Sequence, residues 1–416
     1  MTANKAVLLS DAEELRQYPY WRRNLKVLPF ANLLCSLGFG IAWPFLPLMV
    51  RSLGVHEHLE TWVGYMMLVF YVIGFIISPI WGSIADHYGR KVMALRASLG
   101  MGFFMSLVPF APTPLWFAGL FMLVGFFNGF VPSSMSLLVA NTPPQRHGRA
   151  LSLAQSGSLV GQTMGPAAGA MLAAMLSRQH WLFWISGGLL LCGGGLVALF
   201  VREVKHRAQG PWRPHWLGSL RELLALPGMG SLYCLSFLFS MLWSGNVTII
   251  SIYVLQLLGP GFAGTDTEAL WVGAAAMGLS VSSLLVLPLW GRVLDRFDPA
   301  RVVVFATAAA VLTHLPLLFL DSPLQLVLTR VAFGLTAVAM QPAIIMLLRK
   351  NAPVGMDARA LSYATSFQYI AMGLAPFCAG LVGPALGLRA YFGLTVLLTL
   401  GGLLLWLRRM RRSSHP

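Results

Sequence analysis

The sequence predicts an all-α integral membrane protein of twelve transmembrane helices in two pseudo-symmetric six-helix bundles. Three observations predict it. The 416-residue chain is 57% hydrophobic and 10% charged, whereas a soluble globular chain carries about 25% charged residues. Its apolar stretches are each close to the roughly 20 residues that cross a bilayer. The chain also repeats itself at half its length. Pro79-Ile80-Trp81-Gly82 followed by Asp86 is echoed by Pro288-Leu289-Trp290-Gly291 followed by Asp295, at an offset of 209. Arg149-Ala150-Leu151-Ser152 is echoed by Arg359-Ala360-Leu361-Ser362, at an offset of 210. Duplicated membrane bundles around a midplane site are an architecture for moving solutes.

Taken in order, residues 1–26 are polar and charged. With no apolar core, they read as a cytoplasmic tail rather than a cleavable leader. The expected spans are 27–49, 62–84, 92–111, 115–140, 150–176 and 181–201, which make up an N-terminal bundle over 27–201. A central cytoplasmic loop covers 202–228. Within it, Leu217–Leu226 reads equally as a short amphipathic surface helix or as a plain linker. The second bundle, 229–407, has spans at 229–258, 269–290, 302–320, 324–348, 360–386 and 390–407, and a basic cytoplasmic tail, 408–416, closes the chain. With the N-terminus inside, 24 Lys and Arg fall on the cytoplasmic side and three (Arg51, Arg178, Arg389) outside. This bias places both termini in the cytoplasm. It also explains the net charge of +15 without nucleic acid, because no basic face is interleaved with aromatics.

Three motifs carry the functional argument. Gly82-x3-Asp86-x2-Gly89-Arg90-Lys91 joins spans two and three. Gly82 permits close helix approach, Gly89 permits a turn with positive φ, and Asp86 is a fixed charge suited to a neighbouring helix N-terminus. Arg90 and Lys91 mark the cytoplasmic face. In span five, Gly157, Gly161, Gly165 and Gly169, with Pro166, clear one helix face for tight packing. Trp43-Pro44-x2-Pro47 closes span one.

The loop motif resembles the loop 2–3 signature of the major facilitator superfamily, and the likeness extends over nearly the whole chain. Gly161-x3-Gly165-Pro166-x2-Gly169 resembles the span-five motif of its twelve-span drug:proton antiporters. Trp21-Arg22-Arg23-Asn24-Leu25, Pro44-Phe45-Leu46-Pro47-Leu48 and Gly129-Phe130-Val131-Pro132 resemble a multidrug-efflux subgroup. The resemblance implies rocker-switch alternating access about a cavity lined by spans one, four, seven and ten. Asp86, with Asp295 as its echo, would act with Gly82, Gly89, Arg90 and Lys91 as a conformational lock that holds span eleven near Arg359 and Ser362. The span-five glycines and Pro166 would seal spans five and eight.

The chain departs from that pattern in places. All fourteen acidic residues fall in tails, loops or span edges, so no midplane carboxylate is available to carry a proton. Phe121 stands where many relatives have an arginine in span four, whereas span ten keeps Arg330. A charge at that depth faces a cavity or a partner, or snorkels outward. For Arg96 near the inner end of span three, snorkelling is the expectation. His314 is expected to be a buried neutral imidazole. The substrate-cavity candidates are Asn32, Phe39, Asn128, Trp243, Asn246, Arg330 and Gln341, with helix–helix hydrogen bonding as the competing use of the amides.

The reading is therefore an exporter of small amphipathic or lipophilic compounds in a bacterial inner membrane, coupled to protons and monomeric. The alternative is a dedicated exporter of an endogenous metabolite such as a siderophore, lipid or sugar. The expected partners are the small-molecule substrate, protons and the lipid bilayer, with no cofactor and no metal. The four cysteines lie in apolar segments without ligand spacing. An enzyme would need clustered catalytic groups, and His56-Glu57-His58 lacks that arrangement. A sensor or scaffold would have no use for two duplicated halves.

Overall fold

The computed structural model describes residues 14, 16–143, 146–176, 180–204, 216–226, 228–352 and 357–413. Within these, Pro79, Gly82, Ser83, Asp86, His87, Gly148, Asn246, Asp295, Arg349, Ser362 and residues 216–220, 357–359 and 409–413 are described by backbone alone.

The described residues form helices and no strand. In order, these are α1 (Trp21–Ala42), α2 (Leu46–Ser52), α3 (Leu59–Tyr88), α4 (Arg90–Leu107), α5 (Pro114–Phe127), α6 (Phe130–Ala140), α7 (His147–Met175), α8 (His180–Phe200) and α9 (Trp216–Ala225). They continue with α10 (Met229–Thr248), α11 (Ile250–Leu258), α12 (Asp266–Arg296), α13 (Pro299–His314), α14 (Pro323–Ala337), α15 (Met340–Asn351), α16 (Asp357–Leu386) and α17 (Leu388–Ser413).

Local chemistry sets the boundaries. Gly89 at φ +107° ends α3 and releases the chain directly into α4. Gly129 at φ +121° divides α5 from α6. Thr113, Thr265 and Ser322 cap the starts of α5, α12 and α14 through their hydroxyls, satisfying amides that have no acceptor within the helix.

Among the described residues, ten helical segments are long and apolar enough to cross a membrane. The number is eleven if α10 and α11, bent by 42°, count as one span. The 29-residue α7 is not among them. Its Gly, Ser, Gln and Thr residues lower its hydropathy; the glycines face α1, whereas Ser152, Gln155, Ser156 and Gln162 are exposed. The 27–49 reading of the first span is short. The helical path runs from Trp21 to Ser52, through a tight turn at Trp43–Phe45. The helical reading of the central loop matches α9, whose Leu223 is fully buried in the core.

One apolar core runs continuously through residues from both parts of the chain. It includes Phe45, Met49, Val63 and Phe70 from the first part, and Ile250, Tyr253, Val272 and Phe392 from the second. A second core, from Leu223 and Met229 through Leu348 and Ala360 to Trp406, draws only on residues after 215. The two parts therefore share a core at the end that carries Arg51. At the end that carries Arg90, the C-terminal part keeps a core of its own.

Candidate functional site

The glycine stripe of α7 forms a close helix contact, but its partner differs from expectation. A Cβ at Gly165 would lie 2.6 Å from the Gly40 Cα. Those at Gly157, Gly161 and Gly169 would press on the carbonyl oxygens of Pro29, Leu33 and Ile41. All four partners belong to α1, so the stripe and Pro166 seat against span one rather than span eight. Span eight meets α7 at Ala170, 2.8 Å from a Cβ at Gly273. A stripe of small residues specifies a close approach without specifying the partner.

The two parts of the chain meet at the Arg51 end. There α3 lies against α16 so closely that a Cβ at Gly64 would come 2.6 Å from the Pro376 carbonyl oxygen, and one at Gly380 would come 2.7 Å from that of Glu60. Thr61 donates its hydroxyl to the Gly380 carbonyl at 2.6 Å. Tyr65 packs edge-on to Phe377 at 5.4 Å. The Trp43–Phe45 turn touches α10, α11 and α12, which gives the Trp-Pro motif a place in this seam.

The strongest link here is one that sequence reading missed. Arg51 at the end of α2 grips Glu268 at the start of α12 with both terminal nitrogens, Nη1 to Oε1 at 2.7 Å and Nη2 to Oε2. The side chains are 9% and 1% exposed. The Gly264 amide also donates to Oε2 at 2.8 Å, and Thr265 accepts from the Glu268 amide. Glu268 does sit at a span edge, as expected, yet it is buried and paired rather than solvated. Thr265-x-x-Glu268 has the spacing of a capping box, a signal for the helix start. Nothing local signals a partner 217 residues away.

At the opposite end, the loop motif is built around another missed residue. The Glu203 carboxylate, just past α8, accepts from the Arg90 amide at 2.8 Å and the Lys91 amide at 2.9 Å. It thereby caps the bare start of α4 with negative charge. A Cβ at Gly89 would meet the same carboxylate at 2.9 Å. Arg90 reaches the Ser136 carbonyl of α6, and Lys91 reaches the Ala198 carbonyl near the end of α8. Asp86, Asp295, Arg359 and Ser362 are described by backbone alone, and Gly82 likewise, so the expected lock to span eleven lies outside the described side chains. Glu14 of the tail is buried and ion-paired to Arg146 at 2.9 Å, with the guanidinium 4.8 Å from the Trp21 ring.

The cavity candidates separate into groups. The Asn32 amide is spent on packing: it donates to the Ala154 carbonyl of α7 and accepts from Ser134 of α6. Phe39 packs at a tilt against Trp43, ring centroids 4.7 Å apart, in a cluster with Phe70, Tyr71 and Phe121. Phe121, in the place of a basic residue, is thus an aromatic core residue. Asn128 half-faces the α5–α6 break, where it accepts from the Gly129 amide. Trp243 lies between Phe239 and Phe333, at 6.1 and 6.0 Å. Gln341 is half-buried, and Asn246 is described by backbone alone. Arg330 is 1% exposed and within electrostatic reach of His314, whose ring packs on Phe333 and Phe392. Outward snorkelling is therefore not what Arg330 does. Nor does Arg96 snorkel, because its guanidinium nitrogens are buried.

This arrangement has known counterparts. The family model described as Major Facilitator Superfamily matches residues 28–283 and 232–416. The multidrug resistance protein MdtG of Serratia proteamaculans (strain 568) is 31% identical over 382 residues, covering 91% of this chain and 92% of that one. MdtG of Enterobacter lignolyticus (strain SCF1) is also 31% identical over 382 residues, covering 91% and 90%. Two solved structures share the fold at low identity. A mutant of the nucleoside transporter NupG aligns with TM-score 0.73 at 11% identity, covering 94% of this chain and 99% of that one. A bacterial homologue of the human lysosomal transporter Spinster, inward-facing and occupied, aligns with TM-score 0.70 at 16% identity, covering 94% and 97%. The chain belongs to the Major Facilitator Superfamily, and it is a membrane transporter with MdtG proteins among its relatives.

Proposed function

We propose that this transporter exports small amphipathic or lipophilic compounds across the bacterial inner membrane by rocker-switch alternating access, driven by the proton gradient. In this reading the ten apolar segments, the bent pair α10–α11 and the glycine-rich helix α7 make twelve spans. They form two six-helix bundles joined through the central cytoplasmic loop, with both termini inside. The Arg51 end is the outer side, because Arg90, Lys91 and the other basic loops mark the inner one.

The observation that carries the reading is the gathering of links between the two parts at one end: Arg51–Glu268, Thr61–Gly380 and the α3–α16 glycine contacts. An exporter that alternates access closes its outer end while it loads from within. Multidrug export is the reading favoured by relatives named multidrug resistance proteins at 31% identity over most of the chain. The apolar, aromatic surroundings of Phe39 and Trp243 suit loosely held lipophilic cargo.

Dye efflux from cells expressing the wild type or Asp86→Asn, with and without a protonophore, tests it. Efflux that collapses both with the protonophore and in the variant is the expected result. Absence of efflux for every dye from well-expressed protein would contradict it.

A further inference from the structure

Arg96 has a job that neither the seam nor the loop motif uses. Its Nε, Nη1 and Nη2 are all buried, and among the described residues none has a hydrogen-bond partner. The guanidinium carbon lies 3.9 Å from the centre of the Trp81 ring and 5.9 Å from that of Phe127. Aromatic faces attract a cation but leave its in-plane N–H donors without acceptors. A buried donor without an acceptor costs roughly 1–3 kcal/mol, and more when it is charged. The Trp81 indole nitrogen is already committed to the Phe126 carbonyl at 3.0 Å.

Arg96 also adjoins the positive start of a helix. A Cβ at Gly129 would lie 3.9 Å from Nη2, so the guanidinium adjoins the start of α6. That 11-residue helix has no side-chain cap, so the amides of Phe130 and Val131 have no acceptor within the helix. No acidic residue occurs in α4, α5 or α6, and α3, which supplies Trp81, carries Glu60 at its far end and Asp86, whose side chain lies outside the described ones. From Arg96 the same face of α4 continues through Leu99 and Phe103, which are 40% and 55% exposed. Arg96 is six residues, about 9 Å, into the helix from Arg90.

We infer that Arg96 and the open start of α6 bind the oxyanion of an amphipathic molecule, a carboxylate or phosphate whose apolar tail lies along Leu99 and Phe103. The guanidinium fork suits a planar or tetrahedral oxyanion, the helix start adds its positive end, and Trp81 covers the back of the cation. Two sources share this chemistry: an anionic phospholipid of the bilayer, and a free amphipathic anion. The inference does not depend on the efflux reading.

The test is native mass spectrometry of the purified full-length protein in a neutral maltoside detergent. Phosphatidylglycerol, dodecanoate and uncharged monoolein are the probes, and the proteins are wild type, Arg96→Gln and Arg96→Lys. The wild type should bind at least one of the two anions in preference to monoolein. Arg96→Gln should lose about tenfold or more of that affinity, as expected when hydrogen bonds to a charged group are removed. Arg96→Lys, which keeps the charge without the fork, should fall between, and it carries the test if Arg96→Gln does not fold. Preference for phosphatidylglycerol alone assigns a lipid site, whereas binding of dodecanoate assigns a site for free amphipathic anions. Equal anion affinity in wild type and the variants, or no preference over monoolein, overturns the inference.

Discussion

Arg51 and Glu268, 217 residues apart, form a buried two-pronged ion pair between the end of α2 and the first turn of α12. Removing one member of a buried pair strands the other and costs about 3–5 kcal/mol. Here that cost falls on the closed seam rather than on the helices themselves. Glu268→Ala is therefore expected to open the Arg51 end. A cysteine placed at fully buried Val63 should then become reactive to a maleimide added from that side. The exchanged pair, Arg51→Glu with Glu268→Arg, should restore protection. Unchanged labelling in Glu268→Ala would show that the pair does not hold the seam.

The α1–α7 seam tolerates no added carbon. Gly165→Val should lower the melting temperature and yield of the purified protein, at a cost of about 1–3 kcal/mol from overpacking against Gly40. Gly195, with nothing within 4 Å of its would-be Cβ, supplies the contrast. Gly195→Ala should hold or raise the melting temperature, because alanine loses less backbone entropy in a helix.

Glu203→Ala uncaps α4. The Arg90 and Lys91 amides lose their acceptor, and the loss of such a cap costs about 0.5–2 kcal/mol. Thermal unfolding in detergent should register it, and Glu203→Asp should recover part of it.

Asn32→Ala separates packing from substrate contact. Its amide joins α1 to α6 and α7, and such bonds between membrane helices average about 0.6 kcal/mol. A small loss of thermal stability with an unchanged range of effluxed dyes is expected. A changed dye range at unchanged stability would return Asn32 to the cavity.

How much was legible in the sequence depends on the range of the interaction. Apolar stretches, the half-chain echo and the Gly89 turn are local, and they gave the membrane class and the loop geometry. The polar residues of α7, with Ser152, Gln155, Ser156 and Gln162 exposed, leave it short of the hydropathy of an apolar span although it packs against α1 and α12. The α7 stripe announced a close contact but could not name α1. Arg51–Glu268 and the Glu203 cap join segments far apart in the chain, and neither side carries a pattern that identifies the other. Arg330 and Arg96 were recognisable as misplaced charges. Their burial, beside His314 and over Trp81, came only with the packing of neighbouring helices.

The central claim is that the seam at the Arg51 end must open during every transport cycle. Tyr65 and Phe377 pack across it with ring centroids 5.4 Å apart, so cysteines at these two positions, with Cys35, Cys192, Cys234 and Cys378 replaced by alanine, can bridge the two parts of the chain. The most direct measurement is dye efflux by this variant before and after oxidation, with the extent of bridging read from the same cells. The account predicts that efflux stops when the bridge forms and returns on reduction. Undiminished efflux from fully bridged protein would contradict it.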